Sequence, residues 1–129
     1  MHKSLAAAIF ATAVVVTGGL ALAQQALVRQ PLQKSEFPGD QWATYTTLLT
    51  VAPGAPIPRH THPGIEMIYM IEGETTLIVD GQPERTLKAG DSVTVPAGVP
   101  HGGKNGDRPS KIITTHVVDK AKPLSSPAP

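Results

Sequence analysis

Three histidines and one glutamate have residue types and spacings that suit metal binding. His60 and His62 lie two residues apart, so in an extended chain both side chains project to the same side. Glu66 keeps the same even spacing at the start of a predicted strand, and His101 lies in a separate loop. Imidazole and carboxylate donors suit copper, zinc, manganese, iron or nickel, and they suit calcium or magnesium poorly. The sequence therefore predicts one divalent transition metal held by His60, His62, Glu66 and His101.

Two other basic side chains each allow two interpretations. His116 lies alone in a predicted strand, where a histidine is more often a surface or hydrogen-bonded core residue, the alternative being that it lines the pocket beside the ligands. Arg59 could guide an anionic ligand to the site, but neighbours in a strand point to opposite faces, which favours a solvated arginine. The chain has no cysteine, so thiolate ligands are excluded.

The elements that must position these side chains are short strands separated by turn residues. Segments rich in threonine, aromatic and branched residues predict strands, and Asp80-Gly81 is a strong hairpin signal. The clearest strands are predicted at 41–51, 66–72, 75–79, 92–95 and 111–118. No helical periodicity follows residue 23, and the 12 glycines and 13 prolines suit a fold with many corners. The sequence therefore predicts an all-β fold, either an antiparallel sandwich or a barrel.

Alternation along the strand at 66–72 predicts the lining of the site. If Glu66 points inward, Ile68 and Met70 share its face. Met67, Tyr69 and Ile71 then face the other layer or a subunit interface. This pattern predicts a mostly apolar pocket with the metal at its base.

Two segments of the chain resemble the two conserved motifs of the cupin superfamily. The first has the pattern Gly, five residues, His-x-His, three residues, Glu, six residues, Gly, matched by Gly54, His60, His62, Glu66 and Gly73. The second has the pattern Gly, five residues, Pro-x-Gly, two residues, His, three residues, Asn, matched by Gly90, Pro96, Gly98, His101 and Asn105. Every fixed position is matched. The resemblance implies a double-stranded β-helix, the cupin jelly-roll barrel, with the metal on His60, His62, Glu66 and His101.

The resemblance leaves three functions open, since a fold does not by itself determine function. The first is a metal-dependent dioxygenase acting on a small aromatic or other organic substrate, which the apolar pocket favours. The second is a non-catalytic protein that binds a ligand or a metal. The third is a lyase or isomerase that uses the metal as a Lewis acid. No residue is assigned a catalytic role, and a small molecule is the expected ligand or substrate.

Residues 1–23 have the features of a signal peptide. A short positive start at Lys3 precedes an apolar run, and Ala21-Leu22-Ala23 provides a cleavage site before Gln24. An uncleaved membrane anchor is the alternative interpretation. We expect cleavage and a periplasmic or secreted protein that has no membrane association afterwards.

The rest of the chain divides into an N-terminal arm at 24–40, the cupin β-barrel at 41–119 and a flexible C-terminal tail at 120–129, which is rich in proline, serine and alanine. Removal of Lys3 leaves ten basic residues against ten acidic ones, with no basic patch for nucleic acid. A homodimer is expected, because a barrel this small gains core by pairing, and the arm is a candidate for crossing to the partner.

Overall fold

The computed structural model describes residues 25–129, so the predicted signal peptide at 1–23 lies outside the described residues. Among the described residues there is no helix, and hence none long and apolar enough to cross a lipid bilayer. The ten strands are β1 (Leu27–Gly39), β2 (Trp42–Val51), β3 (Pro56–Thr61), β4 (Gly64–Glu72), β5 (Glu74–Val79), β6 (Arg85–Lys88), β7 (Ser92–Val95), β8 (His101–Asn105), β9 (Ser110–Asp119) and β10 (Ser126–Pro127).

The strands form two five-stranded sheets. One sheet has the order β1-β2-β9-β4-β7, and the other has the order β10-β3-β8-β5-β6. Neighbouring strands pair antiparallel in both sheets. The prediction of an all-β fold with the architecture of a double-stranded β-helix is confirmed.

Strand β4 shows why the two sheets pack face to face. Its residues alternate strictly between buried and exposed from Gly64 to Met70, because successive side chains point to opposite faces of a pleated strand. Ile68 and Met70 are buried with Glu66, whereas Met67 and Tyr69 are exposed. The predicted alternation is therefore confirmed, and the inner face of β4 carries both the carboxylate and apolar side chains.

The hydrophobic core lies between the sheets. Met70 of β4, Val51 of β2 and Ile112 of β9 contribute from one sheet, and Leu77 and Leu87 contribute from the other. Full burial of such side chains contributes roughly 1.5–3 kcal/mol each. This core fixes the spacing of the sheets, and that spacing brings side chains from β3, β4, β8 and β9 together.

Asn105, at the end of β8, connects several strand ends through the hydrogen bonds of its side-chain amide. Its amide nitrogen donates hydrogen bonds to the main-chain oxygens of Val51 and Arg108, at 3.1 and 2.9 Å. Its amide oxygen accepts hydrogen bonds from the hydroxyls of Thr75 and Ser110, at 2.9 and 2.5 Å. A buried amide with its bonds satisfied rigidifies its surroundings. Asn105 therefore anchors β8, the strand that begins at His101.

Both ends of the described chain differ from the sequence prediction. Residues 24–40 were predicted to form an arm, but 27–39 form β1, which pairs with β2 along most of its length. The tail at 120–129 was predicted to be flexible, but it contains β10, in which Ser126 pairs with Thr61 and Pro127 with His60. Most side chains in both strands are exposed. They therefore lack the alternating pattern by which a half-buried strand is recognised from sequence.

Candidate metal centre

The four predicted ligands come together between the two sheets. His60 lies in β3, His62 follows the end of that strand, Glu66 lies in β4 and His101 begins β8. One donor atom from each of the four lies within 4.8 Å of all the others. Glu66, His62 and His101 are buried and His60 is half-buried. The structure thus brings together all four residues of the predicted site, which we name the candidate metal centre.

Main-chain carbonyls orient all three imidazoles in the same way. Each Nδ1 atom lies within hydrogen-bond distance of a carbonyl oxygen. The pairs are His60 with Pro58 at 2.8 Å, His62 with Leu124 at 2.5 Å and His101 with Val99 at 2.9 Å. An imidazole that donates from Nδ1 keeps a lone pair on Nε2, and such a bond commonly orients a metal-binding histidine.

The free donor atoms converge on one another. The Nε2 atoms of His60 and His62 are 3.1 Å apart, and Nε2 of His101 is 2.9 Å from Oε2 of Glu66. Nε2 of His62 lies 3.6 Å from the same carboxylate oxygen. Lone pairs and a carboxylate turned towards one point create a strongly negative potential that a cation would neutralise. Three nitrogens and one carboxylate fit a divalent transition metal.

The loop before His101 is fastened to the loop that carries His62. The amide nitrogen of Gly98 donates a 3.0 Å hydrogen bond to the carbonyl oxygen of His62. Gly98 has a positive φ of 71°, which glycine adopts without the strain of a side chain. The second motif thereby positions its own histidine and also braces a ligand of the first motif.

The electrostatics of the centre keep its donors in the states that metal binding needs. Burial raises the pKa of Glu66, but hydrogen bonding from His101 and the contact with His116 outweigh it, so the pKa lies well below its usual range. Burial lowers the pKa of His62 to about 4, and it also lowers the pKa of His60. Near neutral pH the carboxylate is therefore ionised and these two imidazoles are neutral, as ligands must be.

His101 behaves differently because it faces the carboxylate. Burial opposes its protonation, but the hydrogen bond to Glu66 outweighs burial and raises its pKa. A proton on Nε2 of His101 lies between this nitrogen and the Glu66 carboxylate, and a metal ion bound to both residues would take its place. Metal binding at this residue is therefore expected to release a proton.

His116 adopts the pocket-lining alternative. It is 5% exposed, and its Nε2 lies 3.2 Å from Oε1 of Glu66. Its ring centroid is 4.3 Å from that of His62. Register explains the placement, because His116 of β9 is the direct partner of Glu66 of β4. Alternation along β9 could predict which face His116 occupies. It could not predict that β9 pairs with β4, which places His116 beside Glu66.

Arg59 points away from the centre, as alternation predicted. It is not a free solvated side chain, however. Its two terminal nitrogens donate to the carboxylate of Asp80 at 2.6 and 2.8 Å, and its Nε donates to the main-chain oxygen of Pro129 at 2.6 Å. Arg59 therefore fastens the C-terminal tail to the surface of β3.

A cavity of about 160 Å³ adjoins the candidate metal centre between the sheets. Its walls are mostly apolar, as predicted, with Ile68, Met70 and Ile112 on one side and Leu77 and Leu87 on the other. The cavity wall also includes residues that could not be predicted to line it, among them Arg29 of β1 and the tail residues Leu124 and Ser125. An engineered cavity of similar volume holds a molecule of the size of benzene. The arrangement suits a small organic molecule beside a metal.

Known proteins resemble this chain in sequence and in fold. Dimethylsulfoniopropionate lyase DddQ of Ruegeria pomeroyi is 36% identical over 73 residues, which cover 57% of this chain and 35% of that lyase. The crystal structure of the lyase matches with a TM-score of 0.65 and 25% identity, over 76% of this chain and 50% of the lyase chain. The chain therefore spans half or less of the length of this relative.

Two further structures share the fold over more of their length. A conserved protein with a double-stranded β-helix domain from Klebsiella pneumoniae matches with a TM-score of 0.68 and 22% identity, over 83% of this chain and 88% of its own. A cupin-like protein from Thermotoga maritima matches with a TM-score of 0.66 and 22% identity, over 79% and 75%. The cupin domain family matches residues 47–116, which is more than half of the chain and contains the whole candidate metal centre. The chain therefore belongs to the cupin domain family.

Proposed function

We propose that this cupin binds one divalent transition metal at the candidate metal centre and uses it to act on a small organic molecule in the adjoining cavity. One observation carries the proposal. Three buried or half-buried imidazoles donate from Nδ1 to main-chain carbonyls and turn Nε2 towards the ionised Glu66. His60, His62, Glu66 and His101 are the ligands. Elemental analysis of the purified protein would identify the metal.

A bound divalent metal would supply a Lewis acid that polarises an oxygen of the substrate. The protein's own residues perform the remaining tasks. The apolar walls exclude water and hold the carbon part of the substrate, which strengthens electrostatic interactions inside the cavity. Glu66 offsets part of the metal's charge, and the carbonyl partners hold the imidazoles in place.

Lewis-acid lyase chemistry is the reaction class that we favour. The supporting observation is the 36% identity with dimethylsulfoniopropionate lyase DddQ over 73 residues. Because that identity covers only 35% of the lyase, we carry over to our proposal the reaction class and not the substrate. A dioxygenase is the second candidate, and the apolar cavity beside four ligands supports it. Non-catalytic ligand binding is the third.

Metal analysis combined with turnover under two atmospheres tests the proposal. We expect about one equivalent of a transition metal in the purified protein and almost none in His101→Ala. Substrate consumption that is equal under argon and in air supports the lyase, whereas consumption that requires oxygen supports the dioxygenase. A folded protein that takes up no copper, zinc, manganese, iron or nickel on titration contradicts the whole proposal.

We also propose export and self-association. Export rests on residues 1–23, and sequencing of the mature N-terminus should find Gln24 first.

Self-association rests on the outer face of β4, where four apolar side chains are exposed. They are Ile65 at 38%, Met67 at 40%, Tyr69 at 49% and Ile71 at 43%. A second copy of the chain would cover this face, and Tyr69→Glu should convert a dimer to a monomer in light scattering.

A further inference from the structure

Two buried polar side chains of β9 face the cavity without hydrogen-bond partners. Within residues 25–129, the Thr114 hydroxyl and both ring nitrogens of His116 lack a partner with hydrogen-bond geometry. Thr114 is 2% exposed and His116 is 5% exposed. Nε2 of His116 lies 3.2 Å from Oε1 of Glu66, but the contact does not have hydrogen-bond geometry. Buried polar groups are normally satisfied, and an exception calls for an explanation.

These two side chains form a short polar strip that begins at the candidate metal centre. They lie two residues apart on β9 and so share a face. His116 is the direct partner of Glu66, and Thr114 is the direct partner of Ile68, one step further from the carboxylate. Beyond Thr114 the same face continues with Ile112, which is buried in the apolar core. A molecule lying along the strip would meet the metal site, then hydrogen-bonding groups, then an apolar wall.

The charge of the cavity would favour an anion once the metal is bound. Among the described residues that line the cavity, Glu66 carries a negative charge and Arg29 carries a positive one, and these two cancel. A divalent metal at the centre would therefore give the cavity a net positive charge. A carboxylate accepts hydrogen bonds and donates none. The Thr114 hydroxyl can donate one bond, and an N–H of the His116 ring can donate another.

We propose that Thr114 and His116 form a subsite for the carboxylate of a small organic acid whose uncharged, apolar body lies against Ile68, Met70 and Ile112. The proposal rests on the proposed function, because the metal supplies most of the positive charge. It names the substrate class of that same site.

The residues that line the cavity differ from those expected in a site for a zwitterion such as dimethylsulfoniopropionate. A sulfonium cation is best held by an aromatic face or a second anion. The described residues lining the cavity include no phenylalanine, tyrosine or tryptophan, and no carboxylate besides Glu66. Arg29 adds repulsion. The inference therefore predicts that an acid with a neutral body binds better than its sulfonium counterpart.

Three probes of nearly equal shape test the substrate class by calorimetry on the metal-loaded protein. In 4-methylpentanoate, a neutral CH group replaces the sulfonium sulfur of dimethylsulfoniopropionate, and in 4-methylpentan-1-ol a hydroxymethyl group also replaces the carboxylate. We expect 4-methylpentanoate to bind at least about tenfold more tightly than either of the others. Equal binding of the alcohol overturns the carboxylate subsite, and tighter binding of the zwitterion overturns the neutral body.

Two threonine variants test the subsite itself. Thr114→Val keeps the shape but removes the hydroxyl, and it should weaken 4-methylpentanoate about tenfold while leaving the metal content unchanged. Thr114→Ser should restore binding. Thr115→Val is the matched control, because Thr115 lies on the opposite face of β9 and is not part of the cavity wall. Equal affinity in Thr114→Val and the parent protein overturns the subsite.

Metal uptake and acid binding, measured separately, distinguish failure of the subsite from failure of the proposed function. If the parent protein takes up no metal, the proposed function fails. If it takes up metal but Thr114→Val binds the acid normally, only the subsite fails. Thr114→Val should also melt a few degrees higher without ligand, because valine removes an unpaired buried hydroxyl. A variant that melts lower would show that the hydroxyl is satisfied within the fold, which contradicts the subsite.

Discussion

The two motif segments, 54–73 and 90–105, and the two terminal segments, 27–39 and 120–129, contribute to the same site in different ways. The motif segments carry all four residues of the candidate metal centre. The terminal segments carry none of them, yet they provide Arg29, Leu124 and Ser125 to the cavity wall. The carbonyl of Leu124 also orients His62. The motifs therefore supply the ligands, and the termini enclose and adjust them.

The identity of a ligand and its orientation are therefore separate properties of this site. The carbonyls that orient His60 and His101, those of Pro58 and Val99, lie only two residues away along the chain. His62 depends on Leu124, which lies 62 residues further along the chain. Orientation by neighbours comes with the local backbone. Orientation by a remote segment requires that the segment be docked.

The largest effect should follow removal of a motif ligand. His62→Ala deletes a donor, so we expect metal affinity to fall more than about 100-fold, which exceeds the usual effect of losing a ligand's hydrogen-bond partner. Competition with a chromophoric chelator measures the affinity, and circular dichroism checks the fold. Affinity within tenfold of the parent would mean that His62 is not a ligand.

Removal of the tail should have the next largest effect. A chain ending at Lys122 lacks the carbonyl that orients His62 and also lacks β10, and we expect a loss of metal affinity of about 10- to 100-fold. Leu124→Ala is the matched control, because it keeps the main-chain carbonyl and should bind metal within a few-fold of the parent. Equal losses in the two variants would assign the effect to the side chain, against our interpretation.

A smaller effect should follow when the tail is only loosened. Arg59→Gln removes the pair with Asp80 and the bond to the Pro129 oxygen. Arg59 is partly exposed, with 38% of its side chain accessible, and exposed pairs contribute little to stability. We expect metal affinity to fall a few-fold and hydrogen exchange in 124–129 to accelerate, while exchange in β4 stays unchanged. Unchanged exchange in the tail would show that Arg59 does not hold it.

The smallest effect should come from β1. Arg29→Gln removes a positive charge from an exposed position at the rim of the cavity. We expect 4-methylpentanoate to bind a few-fold more weakly at low ionic strength, with the difference vanishing in 1 M salt. Metal affinity should remain that of the parent. A difference that survives high salt would indicate a direct contact instead of long-range attraction.

Much of the centre could be predicted because its pattern is local. The two-residue spacing of His60 and His62 and the alternation along β4 depend only on extended backbone geometry. The motif match identified Glu66 and His101 and anticipated the family. The spacing and the alternation depend on neighbouring residues, so a single sequence carries them, whereas His101 was assigned from the resemblance of the second motif.

The surroundings of the ligands depend on contacts between segments that are distant in the sequence. The position of His116 beside Glu66 depends on the register of β9 against β4, and the partner of His62 depends on where the tail docks. Mostly exposed strands such as β1 bury too little to leave a periodic pattern in the sequence. Local patterns report which face a side chain occupies. Pairing between distant strands is selected by packing of the whole core. The donor residues could therefore be recognised from the sequence, whereas their orientation and the adjoining cavity depend on the folded structure.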